Sequence, residues 1–111
     1  MATLAIDRLT EAEAARVASL EELKAILVDA ENRDVKREEF SELFALSIRV
    51  LELDQESAAK LFKTSRPTIS RWAAGLSAPH ILGRPAVFRA LRKVANDRLR
   101  QHTASVVDAS A

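Results

Sequence analysis

The chain is expected to be all-α, an expectation resting on three features. Its 111 residues contain two glycines and three prolines, too few to punctuate a set of short strands, and Ala and Leu make up most of the apolar residues. Apolar side chains recur at three- and four-residue spacing in several segments. Thr10, Ser19, Asp54 and Ser65 stand at the heads of such segments, where a side-chain oxygen can accept from the unpaired N–H groups of a first helical turn. The length suits one domain of ordinary size with an added helical arm.

The elements follow in chain order. Thr10-Glu11-Ala12-Glu13 reads as a capping box, and Ser19-Leu20-Glu21-Glu22 repeats the signal, so a helix is expected from about Thr10 to Glu31, with a second cap available at Ser19. Leu20, Leu23, Ile26, Leu27 and Ala30 form its apolar stripe, and Asn32-Arg33-Asp34 reads as a turn. A second helix is expected over Lys36–Leu53. Phe40, Leu43, Phe44, Ile48 and Leu51 share one face, which Leu46, Val50 and Leu53 widen. A stripe this broad exceeds one partner face, so it should pack on the C-terminal half on one side and on the N-terminal helix, or a second subunit, on the other.

Asp54 is expected to cap a short helix from Gln55 to Phe62, with Lys63-Thr64 as a tight corner. Ser65 caps the next short helix. Pro67 lies in its first turn, where the missing N–H has no partner to lose, and Gly75 suits the left-handed position that ends it. Ser77 to Gly83 reads as a loop containing Pro79. Pro85 opens a last helix to about Gln101, with Val87, Phe88, Leu91, Val94 and Leu99 facing inward. The sequence thus divides into an acidic helical arm over 1–35, a folded domain over 36–102, and a small, polar tail over 103–111 expected to be disordered.

The formal net charge of +1 hides a segregation. Met1–Asp54 carries 7 basic and 13 acidic side chains, and Gln55–Ala111 carries 10 and 3, so the halves sit near −6 and +7. Such asymmetry suggests that the second half meets a polyanion and the first does not. Cysteine is absent, which removes disulfides and thiolate metal sites and fits a reducing cytoplasm. The N-terminus shows no basic stretch followed by an apolar run, and the apolar stretches are too short to span a bilayer. A soluble, cytoplasmic protein is the expectation.

The segment Gln55–Trp72, QESAAKLFKTSRPTISRW, resembles the helix-turn-helix of the Cro/CI-type, or XRE-like, repressor family. Ala59 stands where the two helices would cross closest, and only a small side chain lets the backbones approach. Ala58, Leu61 and Phe62 would face the core from the first helix, and Ile69 and Trp72 from the second. Arg49, Leu53 and Gln55 stand where the family usually carries Arg, an apolar residue and Gln, and Gly75 and Pro79 match the usual end of the unit. The resemblance covers about Phe40 to Leu99. Two positions depart from the pattern: Lys63 replaces a common turn glycine, with Thr64 at the following apolar position, and Ala73 replaces a glutamate that would pair with Arg49.

The resemblance implies a lambda-repressor-like helix-turn-helix domain, with an added N-terminal helical arm, that binds double-stranded DNA. In this motif the second helix lies in the major groove and its N-terminal residues reach base edges. Arg66, Pro67, Thr68, Ser70 and Arg71 are then the candidate base readers, an arginine pairing bidentately with guanine and Pro67 touching a thymine methyl. Gln55, Lys60, Lys63, Thr64, Ser65 and Arg84 are candidate backbone or anchoring contacts, and Gln55 would stand where its helix offers N–H groups to a phosphate. Arg89 extends the basic surface. The implied function is a homodimeric transcriptional repressor of bacterial or phage type on a palindromic operator, the dimer contact coming from the acidic N-terminal helices or the last helix. An antitoxin that represses its own gene and binds a protein partner, or a protein-interaction module using the motif as scaffold, are the alternatives.

Plainer roles compete at several positions. Trp72 has the spacing of a core residue, and Thr68 and Ser70 could be surface filler. Glu38, Glu39 and Glu42 read as a solvated helix face, and His80 and His102 as solvated side chains. No phosphate loop, nucleophile elbow or metal-ligand spacing is present in the sequence, so no enzyme activity, cofactor or metal is expected.

Overall fold

The computed structural model describes the backbone of residues 10–110 and the side chains of residues 10–102. The secondary structure among the described residues is all helical, without a strand: α1 Glu11–Glu31, α2 Arg37–Val50, α3 Gln55–Leu61, α4 Arg66–Ala74, a 3-10 turn Ile81–Gly83, and α5 Arg84–Ser110. No helix among them is long and apolar enough to cross a membrane. Residues 1–9 of the expected arm lie outside the described residues.

Thr10 caps α1 as its sequence suggests, its hydroxyl accepting from the Glu13 N–H at 3.1 Å. The helix then passes through Ser19 without a second cap, because Leu20 and Leu23 immediately beyond are buried and packing holds the turn helical. Leu20, Leu23, Leu27 and Ala30 are buried, and the most extensive helix–helix packing in the molecule is between α1 and α5. From α5 come Val87, Phe88, Leu91 and Ala95, with Val94 and Leu99 half-buried beside them. The core is therefore continuous across the boundary placed at residue 35, and the stripe of α1 faces its own chain except at Ile26, which is exposed.

Ion pairs reinforce this pairing. Glu31, at the end of α1, receives Arg92 Nε at 2.5 Å and Nη2 at 3.1 Å, and Arg89 Nε lies 3.4 Å away. The hydrogen bonds from Arg92 hold the Glu31 carboxyl below its ordinary value against the opposing effect of burial. In the α1–α2 connection, Arg33 spans Asp29 at 2.7 Å and Glu39 at 2.8 Å, which lowers the Glu39 carboxyl. Glu39 thus belongs to the turn rather than to a purely solvated face. Near the other end of α2, Arg16 donates to the Val50 carbonyl and lies 3.8 Å from Glu52.

Helix α2 stops at Val50, short of the expected Leu53. Glu52 adopts a left-handed φ of 54°, the Glu52 N–H bonds Arg49 O at 3.2 Å, and the Leu53 N–H reaches back to Ile48 O at 3.0 Å. These two bonds form a Schellman stop, which closes the helix while burying Leu51 completely. At the far end of the chain, α5 continues through Ser110 rather than ending near Gln101. No Gly or Pro interrupts the chain from Ala86 onward, so the backbone carries the helix into the expected disordered tail. Side chains from Thr103 on, and Ala111 altogether, lie outside the described residues.

All five aromatic residues meet in one cluster. Phe40 and Phe44 of α2 stack at 5.6 Å, and Phe40 meets Phe88 of α5 at 5.5 Å. Trp72 of α4 stands edge-on to Phe40, Phe44 and Phe62 at 5.5–6.0 Å. Edge-to-face pairs of this kind each contribute roughly 0.5–1.5 kcal/mol beyond burial. The cluster fastens the two short helices to the long ones, with Trp72 acting as a core residue.

Candidate functional site

Two short helices and their connection make the site. Asp54 opens α3 by accepting from the Ser57 N–H at 2.7 Å, and that bond keeps its carboxyl below the usual range. The helix end that was expected to offer N–H groups to a phosphate is therefore occupied by the chain's own anion, and the Gln55 side chain stands exposed beside it. Ala58 and Ala59 are buried, and α3 packs against α4 there. Leu61, expected in the core, is 37% exposed, because Phe62 takes the inward place in the aromatic cluster.

The corner is a second Schellman stop. The Lys63 N–H bonds Lys60 O at 3.3 Å, the Thr64 N–H bonds Ala59 O at 2.9 Å, and Lys63 takes a left-handed φ of 52°. A left-handed non-glycine residue costs about 1–2 kcal/mol, a strain the two closing bonds and the Phe62 anchor offset. Thr64 is half-buried, and Lys63 projects into solvent.

Ser65 then opens α4 in extended conformation, its hydroxyl accepting from the Thr68 N–H at 3.3 Å. The other end is held from three directions. Gly75 turns left-handed at φ 79°, while the Leu76 N–H bonds Arg71 O at 2.9 Å. Arg37 Nη2 donates to Gly75 O at 3.2 Å and to Leu76 O at 2.7 Å, and Ser41 Oγ donates to Ala73 O at 3.3 Å. A Cβ on residue 75 would stand 3.2 Å from Ser41 Oγ, so conformation and space both favour glycine there.

Clamped in this way, α4 presents two distinct faces. Ile69 is buried, with Trp72 and Ala73 half-buried beside it. Arg66, Pro67, Ser70, Arg71 and Ala74 are exposed, a strip of three- and four-residue steps with two cations and no acid. Thr68 lies at the boundary, half-buried, its hydroxyl 3.0 Å from Ser65 Oγ and 3.5 Å from Arg71 Nη2.

The remaining sequence candidates divide. Ser65 and Lys63 are exposed at the corner, and Gln55 is exposed at the opposite end of α3; Lys60 is exposed too, but its Nζ stands 3.5 Å from Glu56 on the same helix. Such exposed pairs contribute little and leave the amine exchangeable. Arg84 is engaged within the chain, its Nε donating to Pro79 O at 3.0 Å and its Nη1 to Val35 O at 2.7 Å. Arg89 likewise turns toward Glu31. His80, expected to be merely solvated, accepts from the Leu82 N–H at 3.2 Å and caps the 3-10 turn. Sequence reasoning missed Arg37 as the clamp on α4, since its carbonyl partners lie far along the chain and no local pattern marks it.

From Trp72, near the end of α4, to Gly83 the chain carries no Asp, Glu, Lys or Arg, and it exposes Leu76 at 68% and Leu82 at 84%. Between α1 and α5 lies an open groove lined by Glu21, Lys24, Lys93, Asn96 and Asp97, where Arg100 already pairs with Asp97. Among the described residues no three His, Cys, Asp or Glu side chains gather as metal ligands would. No protein-family model matches the chain, and no curated protein or solved structure matches it.

Proposed function

We propose that the chain is a sequence-specific regulator of transcription that binds double-stranded DNA. In this reading α3 and α4 form a lambda-repressor-like helix-turn-helix of Cro/CI type, and α4 enters the major groove. The observation that carries it is the outward strip of Arg66, Pro67, Ser70 and Arg71 on a helix fastened at both ends and from beneath. A reading helix must hold its side chains in register with base edges, and here the backbone is fixed while Arg66 and Arg71 form no ion pair with an acid among the described residues. In this reading Lys63, exposed at the tip of the corner, and Lys60, exposed beside it, contact phosphates.

One such helix spans only a few base pairs. The proposal therefore includes a homodimer acting as a repressor in the cytoplasm, on two half-sites one helical turn, about 34 Å, apart. The test is binding to random duplex across a salt series. Neutralising several phosphates gives a steep fall of affinity with salt, a slope of about 0.9 per phosphate on logarithmic axes. Absence of binding at low salt contradicts the proposal.

A protein-partner role is the second reading, favoured by the uncharged run that exposes Leu76 and Leu82. It is compatible with DNA binding in an antitoxin that represses its own gene, and stands alone in an interaction module, which would show no duplex affinity.

A further inference from the structure

The family resemblance implies Thr68 among the base readers, but its surroundings differ from those of its neighbours. Arg66, Pro67, Ser70 and Arg71 are exposed, whereas Thr68 is half-buried at the edge of the strip. Its hydroxyl is engaged on both sides, 3.0 Å from Ser65 Oγ and 3.5 Å from Arg71 Nη2. Ser65, Thr68 and Arg71 are spaced three apart, so the three polar groups line one edge of α4 as a relay from the helix cap to the guanidinium.

We infer that Thr68 is a positioning residue for Arg71 and not itself a reader of a base, an inference that rests on the DNA-binding reading of α4. A free arginine on a helix surface samples many rotamers, and bidentate pairing with guanine requires one of them. A hydroxyl that accepts from the guanidinium restricts that freedom before DNA arrives, so less conformational freedom is lost on binding. The Thr68 hydroxyl can fill this role because Ser65 fixes it from the other side. Each hydroxyl has one proton, so Thr68 Oγ1 donates to Ser65 Oγ and accepts from Arg71, a consistent assignment of donors and acceptors.

The experiment is selection of bound sequences from a random duplex library by the wild type, Thr68→Val, Thr68→Ser, Arg71→Ala and the Thr68→Val/Arg71→Ala double variant, each checked for folding by thermal melting. The cap on α4 uses the backbone N–H of residue 68, so Thr68→Val keeps it, and Thr68→Ala supplies a second variant without the hydroxyl. The expected result is that Thr68→Val relaxes preference several-fold at the same base-pair positions as Arg71→Ala. Thr68→Ser restores it, and Thr68→Val adds nothing once Arg71 is gone. A change at positions that Arg71→Ala leaves untouched, or additive effects in the double variant, overturns the inference while leaving α4 a reading helix. A wild-type protein that selects no sequence overturns the DNA-binding proposal, and this inference with it.

Discussion

Along the α1–α5 pair, Leu20, Leu27, Phe88, Leu91 and Ala95 have no exposed surface, and the half-buried Glu31 carboxylate with two arginines closes one end. In the α3–α4 corner the buried side chains of the helices themselves are two alanines and Ile69. Helices of 7 and 9 residues are too short to persist alone, and this pair has little apolar surface of its own to compensate. It is held instead by end chemistry: the caps Asp54 and Ser65, the left-handed stops at Lys63 and Gly75, the Arg37 clamp, and the aromatic contacts of Phe62 and Trp72. The division has a consequence for function. Stability resides in the long helices, so the outer face of α4 can carry whatever side chains its target requires.

The largest effect should come from the long pair. Leu27→Ala removes a completely buried side chain facing α5 and is expected to destabilise the whole protein by about 2–5 kcal/mol. Cooperative denaturation followed through Trp72 fluorescence reads this directly, because the tryptophan belongs to α4 and packs on Phe40 and Phe44 of α2. An α1 that was only an appended arm would leave the Trp72 transition unchanged.

A smaller effect is expected at Glu31. Its carboxyl is held low in the folded state by Arg92, so the folded protein releases that proton more readily than the unfolded chain does. The stabilisation is therefore fully present above the ordinary carboxylate value of 4.5 and is lost as pH falls through the lower folded value. Glu31→Gln should lower stability by about 1–2 kcal/mol at neutral pH and flatten the loss in acid. Equal acid sensitivity in wild type and variant would show that the pair contributes nothing to the α1–α5 contact.

The corner was more legible in the sequence than the long pair. Caps and stops are local: Thr10, Asp54, Ser65 and Gly75 each announce their roles by residue type and neighbours, and the left-handed turn at Lys63 follows from its place between two capped helices. Which stripe meets which is a matter of tertiary packing. The spacing of Leu20, Leu23 and Leu27 predicts a buried face, yet nothing in it says that α5 of the same chain is the cover. Glu52 gave no warning either, since glutamate favours helix and the turn is imposed by Leu51 packing inward and Leu53 reaching back to Ile48. Arg84 looked like any exposed cation beside a loop, because its acceptors are carbonyls contributed partly by Val35, far back in the chain. Side chains around the strip on α4 were placed well by helical spacing, with Thr68 half-turned inward as the exception.

The proposal that the outer face of α4 reads DNA meets its most direct test in the two arginines. Arg66 and Arg71 are exposed, so replacing either by alanine should change stability by less than about 0.5 kcal/mol. Sequence selection from random duplex should nevertheless lose about 1–3 kcal/mol of discrimination at one or two positions per half-site in each variant. Variants that fold like the wild type and keep its full sequence preference would contradict the account.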